Sequence, residues 1–176
     1  MQGTLSLDGA DPCQLVVLSE NPVAHESAME ICSGVMARFE AELAFTFNYW
    51  KLKDLSDPVS AHWAEEAVAR ADILLFSLQS PELTPETLNW LESCIQLRTK
   101  SEGALALMVT KLPGTIPVFE SLLYRMQYLA NRLRMDFLPL IPLLAGMGIE
   151  ALTGLSSAAR TRAGEEPGGN HWGLNE

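Results

Sequence analysis

Glycine-rich phosphate loops, paired cysteines and membrane-length apolar runs are all missing from this chain, and so is any surplus of basic charge. Its 176 residues carry 12 Lys and Arg against 22 Asp and Glu, a formal net charge of -10. That balance repels a phosphate backbone unless a basic stripe is segregated on one face. Here the basic residues are scattered, so nucleic acid is excluded as a partner. Cys13, Cys32 and Cys94 are an odd number at wide spacing. They suit neither a disulfide framework nor a zinc site, and read as reduced, buried thiols in a cytoplasmic protein. Residues 1–12 have neither a basic start nor an apolar run, so no signal peptide is expected. The longest apolar stretch, 137–149, is interrupted by Pro139 and Pro142. It falls short of the roughly 20 residues needed to cross a bilayer, and no membrane contact is expected. GxSxG, HExxH, GxGxxG and Walker patterns are absent, and no catalytic, metal or cofactor set is complete.

What remains is a globular composition, 48% apolar and 19% charged, of a length suited to one domain. Short apolar runs at 14–18, 72–78 and 104–109 carry the pattern of strands buried on both faces. Segment 43–52 is dense in aromatic and β-branched residues and reads as a further strand. A fifth, at 136–141, contains Pro139 and is tolerated only at a sheet edge or bulge. Helical spacing links Ala28, Ile31, Cys32, Val35 and Phe39 in the first intervening segment. Asp57-Pro58 and Thr84-Pro85 each offer an N-cap followed by proline at the first helical position. The stripe of the second helix is Val59, Trp63, Ala67 and Val68; that of the third is Leu88, Leu91, Cys94, Ile95 and Arg98. Leu122, Met126, Leu129 and Leu133 mark a fourth. This alternation implies right-handed crossovers and a three-layer α/β sandwich, with a mainly parallel five-stranded sheet in the order 2-1-3-4-5. The domain is expected to span 1–155. A flexible tail, 156–176, follows and ends in an amphipathic segment whose Trp172 is expected to dock on the protein or a neighbouring subunit.

In open α/β sheets ligands bind outside the carboxyl ends of the strands, beside the first and third. That rule nominates Ser19, Glu20, Asn21, Gln79, Ser80, Thr110 and Lys111. Each also has a plainer reading as a turn residue satisfying backbone groups. His25 reads as an exposed first-turn residue and His62 as a surface residue. Tyr49 and Trp50 read as strand core.

Over residues 14–155 the order of elements resembles the receiver domains of two-component systems, and equally the flavodoxins. A receiver has an acidic pair after its first strand, a phospho-accepting Asp after its third, Thr or Ser after its fourth and Lys after its fifth. Here Glu20 stands beside Asn21, Gln79-Ser80 replaces the Asp, Thr110 matches loosely, and Lys111 follows the fourth strand. The resemblance therefore implies a degenerate receiver, without phosphoryl acceptor or Mg²⁺ site. A flavodoxin wraps the FMN phosphate in a Ser/Thr- and Gly-rich loop after its first strand. The matching loop, 19–26, has no glycine, contains Pro22, and sets Glu20 and Glu26 near the anion.

These readings favour a non-catalytic binding or interaction module, its partner a protein or a small metabolite, with self-association open. The alternative is a flavodoxin-like enzyme holding a flavin or nucleotide at the strand ends. A third, a transferase or hydrolase using Glu20 with Ser80, is neither supported nor excluded by the residues.

Overall fold

A computed structural model describes residues 11–111 and 116–140. The expected 155/156 boundary and the docking of Trp172 lie outside the described residues. Five strands alternate with four α-helices: β1 (Cys13–Ser19), α1 (Pro22–Phe39), β2 (Phe45–Lys51), α2 (Pro58–Arg70), β3 (Ile73–Leu78), α3 (Pro85–Leu97), β4 (Ala104–Val109), α4 (Ile116–Leu133) and β5 (Asp136–Leu140). A short 3-10 helix, Leu52–Ser56, joins β2 to α2 and takes the residue expected to end the strand. All pairings are parallel and the order is β2-β1-β3-β4-β5. This is the doubly wound, flavodoxin-like arrangement read from the sequence.

β3 and β4 are buried at every residue, because helices cover both faces. One face sets Leu15, Val17, Ile73 and Leu75 against Ala28, Cys32, Val35 and Phe39 of α1. The other sets Val16, Leu18, Leu74, Phe76, Leu105 and Leu107 against α2, α3 and α4. β5 is the edge at which Pro139, lacking an N–H, is tolerated.

The stripe read for α2 is corrected. Val59 and Trp63 are exposed, at 65% and 56%, and the buried residues are Ala64, Val68 and Ala69. Trp90 of α3 fills the interface and donates its indole N–H to the Ala61 carbonyl at 3.2 Å, so α2 presents small residues there.

Caps set three helix starts, two of them, at Asp57 and Thr84, as expected. Asn21 accepts from the Ala24 N–H at 3.0 Å, Asp57 from Ser60 at 2.9 Å, and Thr84 from Thr87 at 3.2 Å, each followed by proline. The hydrogen bonds from Ser60 hold the Asp57 carboxyl below its ordinary value. A group depressed in the folded state stabilises above its unfolded pKa, about 4, and loses that contribution as the pH falls through the folded value. Asp57→Ala is therefore expected to lower the melting temperature by a few degrees at neutral pH. In calorimetry the gap to the parent should close on acidification; a pH-independent gap would contradict the cap's charge.

At the opposite end of the sheet, Arg98 gathers four backbone carbonyls: Leu133 at 2.6 Å, Glu102 at 2.7 Å, Ala71 at 2.8 Å and Val68 at 3.3 Å. Three belong to the C-terminal ends of α2 and α4, where carbonyls run short of helical N–H partners; Val68 also accepts the Ala71 N–H at 3.2 Å. Gly103 makes room for it. Its φ is +150°, and a Cβ there would stand 2.7 Å from Arg98 Nη2 and 2.9 Å from the Asp72 carbonyl oxygen.

Candidate functional site

β1 and β3 leave the sheet side by side, Ser19 in register with Ser77, and the loops that follow carry most of the nominated residues. The Glu20 carboxylate does not face open solvent. It accepts the Gln79 N–H at 2.6 Å and the Ser80 N–H at 3.1 Å, with the Ser80 hydroxyl at 3.4 Å. Its own N–H donates to the Ser77 carbonyl at 3.0 Å. Asn21 caps α1 through its side-chain oxygen and donates its amide N–H to Gln79 Oε1 at 2.7 Å. Glu20, Asn21, Gln79 and Ser80 thus form one connected network. Ser19 is fully buried and donates to the Tyr49 hydroxyl at 3.0 Å. Thr110 turns back on the Leu78 carbonyl through its N–H at 2.8 Å and its hydroxyl at 3.3 Å. Lys111 joins through its backbone alone, donating to the Gln79 carbonyl at 3.1 Å, and is exposed.

The chemistry open to this arrangement is narrow. A phosphate cradle needs free N–H groups converging on an anion. Here Pro22 has no N–H, Ala24 N–H is taken by Asn21, and the Gln79 and Ser80 N–H groups are taken by a carboxylate. Among the described residues no group of three or more acidic, His or Cys side chains suited to a metal occurs. For acyl or phosphoryl transfer, Ser80 would need a base drawing off its proton. Glu20 Oε2 takes both backbone N–H groups, and Oε1 meets the Ser80 hydroxyl only at a long 3.4 Å.

Two of the three buried cysteines are held as thiols. Burial pushes the thiols of Cys32 and Cys94 up to about 12, for Cys94 with a further contribution from Glu65, so both stay protonated and inert.

No family model matches the chain, and no curated protein matches it. Among solved structures the chain is similar to a Trp repressor binding protein from Bacillus subtilis, at 10% identity and a TM-score of 0.47. The match covers 83% of this chain and 96% of that one. It is also similar to general stress protein 14 from Treponema denticola, at 12% identity and a TM-score of 0.41, covering 87% and 97%. Neither likeness is close enough to carry a function across, and the fold assignment rests on the sheet order itself.

Three features have no signal in the sequence. His25, expected exposed, is half-buried: its ring lies 4.0 Å from that of Tyr49, and its Nδ1 is buried without a hydrogen-bond partner. It packs there because β2 and α1 converge at the carboxyl edge of the sheet. A cavity of about 770 Å³ opens at the other end, lined by Asp72, Lys100, Gly103, Arg134 and Asp136 among others. It is the floor of the Arg98 region rather than part of the strand-end site, and Lys100 and Asp72 pair across it at 2.7 Å. A groove of about 450 Å³ runs between α3 and α4, beside Leu88, Tyr128 and Leu129. Both are built from residues far apart in the chain, so no local spacing announces them.

Proposed function

We propose that this chain is a non-catalytic binding module of flavodoxin-like architecture, engaging a protein or a small metabolite around the exits of β1 and β3. The observation that supports this reading is the Glu20 carboxylate seated on the Gln79 and Ser80 N–H groups. It ties the β1 loop to the β3 loop beside a helix start where Pro22 has no N–H and Asn21 takes the Ala24 N–H, and it leaves polar side chains that suit recognition better than turnover. Lys111, exposed at the rim, supplies a positive group on a strongly acidic protein.

A second reading places a flavin or nucleotide at the same strand ends. The feature in its favour is the Tyr49–His25 ring pair at the carboxyl edge of β2, two rings tilted 35° to each other beside which a further aromatic ring system could pack. One structural neighbour is described as in complex with FMN, although its similarity is too low to weigh.

The two readings separate in one preparation. The purified protein is expected to show no absorbance near 450 nm, and added FMN, nucleotides or Mg²⁺ should leave its melting temperature unchanged. A co-purifying flavin, or a saturable rise in melting temperature with FMN, would transfer the assignment to the second reading.

A further inference from the structure

The two edges of the sheet are treated differently by the sequence. β5 is five residues long and carries Asp136 and Pro139, devices that discourage further pairing. β2 is seven residues, Phe45-Thr-Phe-Asn-Tyr-Trp-Lys51, with no proline, no acidic group and no bulge, since it runs one-to-one with β1 from Cys13↔Phe45 to Ser19↔Lys51. Among the described residues no strand pairs with its outer side. The side chains of Phe45 to Trp50 are half-buried.

The backbone geometry says which groups are left over. Cys13 N–H donates to the Ala44 carbonyl at 2.8 Å, so Ala44 faces β1. Alternation then turns Thr46, Asn48 and Trp50 toward β1, and leaves the N–H and C=O of Phe45, Phe47, Tyr49 and Lys51 pointing outward. Centred on Asn48, an antiparallel strand of the same sequence sets Phe47 opposite Tyr49 and Phe45 opposite Lys51. Every outward residue then meets an outward residue, the condition for paired hydrogen bonds in an antiparallel ladder. Phe47 and Tyr49, both on the α1 side of the sheet, become cross-strand aromatic pairs.

Charge selects the same orientation. Exposed Glu40 and Glu42 precede β2, and exposed Lys51 and Lys53 end and follow it. None of the four is in an ion pair among the described residues. Antiparallel pairing of two copies brings each acidic end beside the other's basic end, with Asp54 offsetting only part of the positive charge. Such surface pairs add little affinity, yet they discriminate between orientations.

We propose that β2 is the interface of a two-fold symmetric homodimer, in which two β2 strands pair antiparallel about Asn48 to form a continuous ten-stranded sheet. The proposal stands apart from the strand-end binding reading and does not depend on it.

Sedimentation of the full chain tests it together with three sets of variants. The parent should be dimeric in the micromolar range. Phe47→Pro removes an outward N–H and spares the β1 side, so it should fold, as judged by circular dichroism, and weaken the dimer about thirtyfold through two lost hydrogen bonds. Asn48→Cys places two thiols across the axis at a Cα separation of roughly 4.5 Å, suited to a disulfide, and should cross-link under mild oxidation. Thr46→Cys should not; Cys13, Cys32 and Cys94 are buried and should stay silent. Glu40→Lys with Glu42→Lys, and separately Lys51→Glu with Lys53→Glu, should each weaken self-association, while an equal mixture of the two variants restores it. A monomeric parent, a dimer indifferent to Phe47→Pro, or cross-linking through Thr46→Cys in place of Asn48→Cys would overturn the proposal.

Discussion

Replacing Arg98 with leucine is expected to lower the unfolding free energy by about 3 kcal/mol. The guanidinium is held by four carbonyls, from the ends of α2 and α4 and from the loop before β4. Leucine keeps much of the stem but takes the guanidinium donor from the Leu133 and Ala71 carbonyls in a half-buried place, and an orphaned acceptor costs more than the hydrogen bond contributed. Burial draws the Arg98 guanidinium below its ordinary pKa and the Asp72 charge pushes the other way, yet the group stays charged at any pH at which the protein folds. Lysine in its place should recover under half the loss, because a point donor cannot span carbonyls from two helices. Gly103→Ala should damage the same region from the other side, through a Cβ crowding Arg98 and a φ that alanine resists. Urea denaturation of the variants checks both; an Arg98→Leu protein within 1 kcal/mol of the parent, roughly the worth of one hydrogen bond, would show that water replaces the guanidinium without penalty.

Glu20→Ala is expected to have two consequences of opposite kind. Stability should fall by about 2 kcal/mol, because the N–H groups of Gln79 and Ser80 lose a charged acceptor. At the same time the loop should acquire affinity for small anions, since two N–H groups come free near the N-terminus of α1. Inorganic phosphate should then raise the melting temperature of the variant and leave the parent unmoved. Glu20→Gln should lie between them, its amide oxygen accepting one bond without the charge. Equal phosphate responses in parent and variant would mean that Glu20 does not guard this position.

Much of the fold is legible in the sequence because its signals are local. The strands 72–78 and 104–109 announce themselves as continuous apolar runs, and β3 and β4 are buried throughout. The pairs Asp57-Pro58 and Thr84-Pro85 locate two helix starts through a cap and a fixed φ. The strand order follows from handedness and alternation. Val59 and Trp63 mislead because helical spacing marks an apolar face without saying whether a neighbour has room for it, and Trp90 already fills that space.

The candidate site is legible as a place. Ser19, Glu20, Asn21, Gln79 and Ser80 do lie together, since the switch between adjacent crossovers is a property of topology. Its state is not legible: nothing in the spacing of Glu20 and Gln79 shows that the carboxylate turns inward onto backbone N–H groups rather than outward to a ligand. Arg98 reads as part of an apolar stripe, yet its partners come from three other segments, which no window of sequence contains.

The Glu20 carboxylate takes the Gln79 and Ser80 N–H groups between the β1 and β3 loops, and the proposed function depends on that occupancy more than on any other contact. An amide-resolved NMR titration of the parent with FMN, and in parallel with inorganic phosphate, reads that position directly. The amide resonances of Gln79 and Ser80 should stay where they are with both ligands. Saturable shifts of those two resonances with FMN would contradict the occupancy and, with it, the non-catalytic reading.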